Sequence, residues 1–591
     1  MQAHAADDGD APMNRFTIQG FQQRHPSVMQ PLVVLDAILT PRRWARVGDR
    51  SALALERALT GDSQWVSRAL RATFGWVARL RAAILRDRPL LMRAAWRFRK
   101  LVWSITWAFI VVMRLWPRRV RVPVPDNPIE LIPAPESYPD FRSPALVVPS
   151  DVPRAEMTLP GAITVQVLHV LQDVYPVIAS HQPDASADPE QRVKDAYSWV
   201  YRLVKEPPTW DPALERARRE GTLLGALATG GPFAKLVERK TGGNGDYLID
   251  LEYLSRYRVR DGLAPLGCQI HLTERNGRLL PAGIGYRGHT TTPGDTRWPF
   301  LERLALCSLA THTTVWRHGM QYHVGGVAPF AVLTHQLPPA HPIRRLLTPH
   351  IADTLSTNFH THLTLRRSGF DVMGFSFPYE TILRYYDDGA SHFTISRLDP
   401  RTDTEQRGIA DSLEYPYLTQ ASGYFDFFEA YVREYVDHYY RDEAALAQDA
   451  AAQTWFSSLD HHIRHGITGY VSGLTKSSLV RLCTLFIYTV SVEHEDNTMW
   501  NYATFLPATV REDGGAESVG QVQAIMDFEM VIASATNKLT RDFSHVALDP
   551  RGAAIMRGFQ ARLQSLQQQM EREPRQHWRI YPKDLEASVS A

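Results

Sequence analysis

The chain has 591 residues, 44% hydrophobic and 22% charged, with a formal net charge of +2. This is the composition of an ordinary soluble globular protein with ample core material, and its charge balance gives no reason to expect a nucleic-acid partner. Cys268, Cys307 and Cys483 are odd in number and far apart. They support neither a disulfide framework nor a thiolate metal site, and read as buried small hydrophobes in a reducing compartment.

The first residues, MQAHAADDGDAPMN, are polar and acidic and lack the basic and apolar regions of a secretory signal. Residues 30–116 show apolar positions at three- and four-residue spacing, a helical pattern. Within them, Leu101 to Met113 (LVWSITWAFIVVM) is a charge-free run of 13 residues, short of the roughly 20 needed to span a bilayer. Arg93, Arg97, Arg99 and Lys100 precede it, Arg114, Arg118, Arg119 and Arg121 follow it, and Trp103, Trp107 and Trp116 lie within or beside it. Two readings stand for 93–121: a buried core or lid helix, or a helix lying at a membrane surface. Three regions follow from these patterns: a helical N-terminal region (1–120), a Pro-rich connector (121–160) and a larger domain (161–591).

From 161 onward helical patterns dominate, including ITVQVLHVLQDVYPVIASH and QRVKDAYSWVYRLVKE, so the fold is expected to be mostly α. A short β patch interrupts them. CQIHLTERNGRLLPAGIGY has two alternating runs around Asn276-Gly277, a strong hairpin signal.

Residues 312–362 crowd together His312, His318, His323, His335, His341, His350, His360 and His362. Clustered imidazoles suit borderline metals, although any one of them is more often a satisfied core or surface histidine. In a regular helix the five-residue step from His318 to His323 leaves the two side chains about 140° apart. A local π-bulge, with its i to i+5 pattern, would bring both onto one face. Far downstream, His494 ends the apolar helix SSLVRLCTLFIYTVSVEH where the sequence turns polar, and buried polar groups need partners or a metal. His494-Glu495 does not begin a zincin motif, because Thr498 stands where the second histidine is required.

His318-x4-His323-x17-His341-x8-His350, ending in HPIRRLLTPH, resembles the histidine signature of the lipoxygenase family. GDYLIDLEYL with the 268–286 hairpin, EYPYLTQASGYFDFFEAYVREYVDHYY (414–440), LVRLCTLFIYTVSVEH (479–494) and the closing ASVSA are similar to further family blocks in the same order. The resemblance covers roughly 160–591 and implies a multi-helix catalytic domain with a small β hairpin region. It does not extend to 1–120, where no N-terminal β-barrel is found. It implies one non-heme iron held by His318, His323, His494 and the main-chain carboxylate of Ala591, with Thr498 or its neighbour Asn497 as a weak further ligand. Asn501 would stand behind them, and the small residue that steers oxygen would fall near Thr361. His341 and His350 would be hydrogen-bonding structural histidines.

The implied activity is dioxygenation of a polyunsaturated fatty acyl substrate to a lipid hydroperoxide, through hydrogen abstraction from a bis-allylic methylene. The residues of 300–335 would line the substrate channel. Two alternatives remain: altered oxidative chemistry on a specialised lipid, or a non-catalytic lipid-binding homologue. The partners expected are an unsaturated lipid and O2, with no nucleic acid. The chain is expected to be a monomer in the cytoplasm, with peripheral membrane contact through 93–121 as one reading.

Overall fold

The computed structural model describes residues 122, 124–125, 184–196, 210–240, 246–355, 375–494, 505–519, 521–522, 538–574, 576 and 578–589. The helical pattern of 30–116, the basic segment 93–121, the connector (apart from three of its residues) and the helix expected over 163–181 lie outside these residues.

The described chain is mostly helical, with one antiparallel sheet. A short helix, α1 (Leu223–Thr229), precedes the strands β1 (Glu238–Arg239), β2 (Asp246–Asp250), β3 (Gln269–Arg275), β4 (Arg278–Tyr286) and β5 (His289–Thr291). The strands pair in chain order as a meander. The β3–β4 turn is Asn276-Gly277, with φ of 53° and 77°. Both central residues are left-handed, as a two-residue hairpin turn requires. The hairpin read from sequence is therefore real, but it is the centre of a five-stranded sheet rather than an isolated patch.

The helices that carry the site follow. They are α2 (Trp298–Thr311), a long π-helical segment π1 (His312–Val327), α3 (Ala328–Gln336), α4 (Pro342–Ile351), α5 (Tyr379–Ser391), α6 (Pro416–Tyr439), α7 (Ala450–His462), α8 (Lys476–Tyr488), a second π segment π2 (Thr489–Glu493) and α9 (Pro550–Met570). The chain from α2 through π1 to α3 is one continuous buried helical rod. Gly325 and Gly326 let it lie against neighbouring side chains, since a Cβ at Gly325 would stand 2.6 Å from the Phe393 ring.

The rod and α8 are locked together by aromatic contacts. Phe330 of α3 stacks on Phe486 of α8 at 5.0 Å and meets Trp455 of α7 edge-on at 6.0 Å. Such pairs contribute about 0.5–1.5 kcal/mol each beyond the area they bury. Phe425 of α6 meets Tyr488 at the end of α8, and Tyr431 stacks on Phe559 of α9 at 4.2 Å. The start of α8 is fixed by a capping box: Thr475 Oγ1 accepts from the Ser478 N–H, and Ser478 Oγ accepts from the Thr475 N–H. Among the described residues, no helix is long and apolar enough to cross a membrane.

Two signature histidines act as joints. His341 caps α4, its Nδ1 accepting from the Ile343 N–H, while its Nε2–H donates to Asp449, the N-cap of α7, at 3.0 Å. His350, at the end of α4, donates from Nδ1 to the Ala587 carbonyl at 2.8 Å. That bond draws the C-terminal stretch into the core, where Leu585, Ala587, Ser588 and Val589 are fully buried.

Burial pushes His350 down from 6.5 to about 4, against the opposing pull of the Ala587 carbonyl. The folded protein thus keeps this imidazole neutral at pH values where the unfolded chain takes up a proton. Its contribution to stability is present above about pH 6.5 and is lost as the pH falls toward 4. His350→Gln removes this site, so the pH slope of the unfolding free energy near pH 5 should flatten by up to about 1.4 kcal/mol per pH unit. Denaturant titrations at several pH values measure it, and an unchanged slope would mean that His350 is already charged in the fold.

Candidate metal centre

His318 and His323 both lie on π1. The Ala328 N–H donates to the His323 carbonyl, five residues back, the hydrogen bond that defines a π-helix. The wider turn brings the two imidazoles, five residues apart, onto one face, as their spacing anticipates. The second ligand-bearing element is distorted too, which the sequence did not foreshadow. α8 gives way to π2, and the His494 N–H donates to the Thr489 carbonyl, again five residues back. Thr489 Oγ1 also bonds the Leu485 carbonyl at 2.7 Å, a contact that bends helices.

These distortions place three imidazole nitrogens around one point. His318 Nε2 lies 2.9 Å from His494 Nε2 and 3.3 Å from His323 Nε2, and the latter two are 3.1 Å apart. Nitrogens about 2.1 Å from a common ion are about 3.0 Å apart when bonded at right angles, and about 3.4 Å apart at tetrahedral angles. The observed separations fall in the range expected of nitrogens that share one ion. Imidazole nitrogens suit iron and related divalent ions. Among the described residues, no other group of histidine, cysteine or acidic side chains could hold a metal ion.

All three rings are buried, with His494 fully inaccessible. Burial, reinforced by the neighbouring imidazoles, holds His318 and His494 well below the usual histidine value, so protonation cannot relieve the crowding. A cation placed between the three nitrogens would engage all of them at once, and this donor set fits the expected metal.

Among the described residues, the other histidines of this stretch are not part of the group. His312 packs on Trp316 and meets the Tyr253 hydroxyl through Nδ1. His335 is buried on α3, and His341 and His350 are the joints described above. His360, His362, Thr361, Asn497, Thr498, Asn501 and Ala591 lie outside the described residues.

The sequence did not point to the charged residues beside the triad. Glu493 precedes His494 and is ion-paired with Lys235, both side chains essentially inaccessible. The Tyr417 hydroxyl donates to Glu493 Oε1 at 3.1 Å. Lys235 Nζ stands 5.9 Å from the centre of the Tyr322 ring, and the Arg317 guanidinium stands 5.8 Å from it. Only the position of Glu493, acidic beside a histidine on an apolar helix, was visible beforehand. Nothing in GGPFAKLVERK marks Lys235. The three cysteines are buried and free, as expected, with burial pushing the Cys268 and Cys307 thiols up to about 12.

Fold and site together define a helical domain built around a buried triad of histidines that could hold a metal ion. The sequence model of the Lipoxygenase family matches residues 295–512, the stretch that holds all three histidines. The chain is 25% identical over 283 residues to the arachidonate 12-lipoxygenase, 12R-type, of Mus musculus, a match covering 43% of this chain and 40% of the relative. It is 28% identical over 170 residues to a hydroperoxide isomerase of Homo sapiens, covering 28% of this chain and 24% of that one. Both matches thus span well under half of the relatives' length. The solved structure of a coral 8R-lipoxygenase superposes with a TM-score of 0.63 at 13% identity, over 81% of this chain and 80% of that one, a likeness of fold. The chain is thus similar to lipoxygenases in sequence over its metal-site stretch and in overall fold.

Proposed function

We propose that this chain is a non-heme iron dioxygenase that inserts O2 into a polyunsaturated fatty acyl chain to give a lipid hydroperoxide. The observation that carries this reading is the convergence of the buried His318, His323 and His494 nitrogens to within 3.3 Å of one another. The mouse relative's name supports the substrate class, since it specifies arachidonate, a polyunsaturated fatty acid. When bound, iron supplies the one-electron chemistry by which dioxygen enters a pentadiene. The chain's own residues would hold the ion through three imidazoles and, by burying them, keep bulk water from it.

His323→Ala should lose iron and oxygen uptake together, as read by metal analysis and an oxygen electrode with polyunsaturated fatty acids. Full iron occupancy in that variant would overturn the ligand assignment. The expectation for the Ala591 carboxylate is tested by appending residues to the chain. The extension should lower iron content and oxygen uptake, and undiminished values would remove that carboxylate from the ligand set.

A second reading rests on the match to the human hydroperoxide isomerase. An isomerase rearranges a supplied lipid hydroperoxide without consuming O2. The first reading expects a conjugated-diene product formed with oxygen uptake, and loss of hydroperoxide without uptake would favour the second.

The reading extends to a peripheral position at the cytoplasmic face of a membrane through the basic, Trp-rich segment 93–121. The full chain should then sediment with anionic vesicles at low salt and be released as salt rises. Absence from the vesicle pellet at low salt would return this segment to the core or lid reading.

A further inference from the structure

The residue immediately before each of the three histidines belongs to one buried cluster. Arg317 precedes His318, Tyr322 precedes His323, and Glu493 precedes His494. Arg317, Tyr322 and Glu493 are all buried, and Lys235, reaching in from the turn at Ala234–Leu236, completes the group. Its links are the Lys235–Glu493 ion pair, the hydrogen bond from Tyr417 to Glu493, and the two cations set against the Tyr322 ring.

Such a cluster is a poor device for holding a fold together. Drawing a lysine and a carboxylate out of water carries a desolvation penalty that their mutual attraction seldom exceeds by much, and apolar replacements of similar size are often neutral or stabilising. Its location is therefore informative. The side chains that flank the ligands in sequence are the ones that bring charge into the dry interior beside them. Lys235 and Arg317 contribute positive charge, which Glu493 and the buried Asp403 offset. A cation held by three neutral imidazoles feels that balance through a medium that screens little. The backbone that carries Glu493 also carries His494, so the anchors on the carboxylate bear on the direction of that imidazole.

We propose that Glu493, anchored by Lys235 and Tyr417, is a positioning residue of the metal centre, and that the Lys235–Glu493–Arg317 charge balance sets how tightly the triad holds a cation. The proposal rests on the reading of His318, His323 and His494 as metal ligands and goes beyond it to residues that touch no ion. It requires charge-neutralising changes at the two ends of the ion pair to act in opposite directions. Glu493→Gln keeps the shape and the Tyr417 contact but removes the negative charge that adjoins His494, shifting the balance toward positive, whereas Lys235→Met removes a cation and shifts it toward negative. A cluster that only supported the fold would give the same sign for both, because each change breaks the same contact.

The experiment uses the full chain stripped of metal and titrated with Zn(II) against a competing chelator, with thermal unfolding of the metal-free protein followed in parallel. Glu493→Gln should weaken Zn(II) binding about 10- to 100-fold, the range typical of residues that support metal ligands. Lys235→Met should tighten it. The double variant Lys235→Met/Glu493→Gln, in which the pair is neutral on both sides, should recover affinity lost in Glu493→Gln, and it serves where Lys235→Met alone does not fold. Weakening of similar size in both single variants, no change in either, or a double variant no better than Glu493→Gln would overturn the proposal. The reading beneath it fails separately, if the wild-type chain does not bind one Zn(II) or if His318→Ala binds it equally well.

Discussion

Three imidazole nitrogens meet in a space from which water is excluded, and much of this protein's architecture answers to that requirement. In open solvent the nitrogens would take up protons or water. Inside the core, burial holds His318 and His494 well below the usual histidine value, an arrangement that suits a cation. The geometry must come from the backbone, because imidazoles are short and have little reach. An α-helix cannot present residues five apart on one face, so the wider π turn is the means by which one rod supplies two nitrogens. The distortion at His494 repeats the solution on a second helix, with the same five-residue hydrogen bond at the histidine itself.

π-helical turns are rare and less favourable than α-helix, so their surroundings must hold them in place. The flanking elements do this. α3 begins with Pro329 near its first turn, where the missing N–H breaks no bond that the helix needs. Phe393 fills the space left by Gly325, and the Phe330–Phe486 stack fixes the rod against α8. The signature histidines His341 and His350 extend the same scaffold, one tying α4 to α7 and the other drawing the buried C-terminal stretch inward. They serve the site by fixing its walls.

What could be read from the sequence divides along physical lines. The hairpin was legible because Asn-Gly has few uses other than a turn with two left-handed residues. The π distortion of the central rod was legible because a five-residue spacing between two ligands contradicts an ordinary helix. The distortion preceding His494 was not, since TVSVE carries a single histidine partner and no spacing to violate. The extent of the sheet was also underestimated: β1 is two exposed residues, and β5 only three, too short for alternation to be seen. The Lys235–Glu493 pair lay beyond any local pattern. Its members are distant in sequence and meet only because the turn before β1 is folded against the end of π2.

That last contact bears on how a widely shared fold comes to differ in its chemistry. The ligands of a metal centre leave little freedom, because their number, type and angles are dictated by the ion. The residue just before each ligand is freer. Its backbone is fixed by the neighbouring histidine, yet its side chain points to a different sector of the core, where charge can be added without disturbing a nitrogen. In this chain those positions hold an arginine, a tyrosine and a glutamate, joined by a lysine from the edge of the sheet. An interior with low screening transmits such charges to a bound cation more strongly than the surface would. Adjustments there can shift the properties of a metal while the triangle of nitrogens stays as it is.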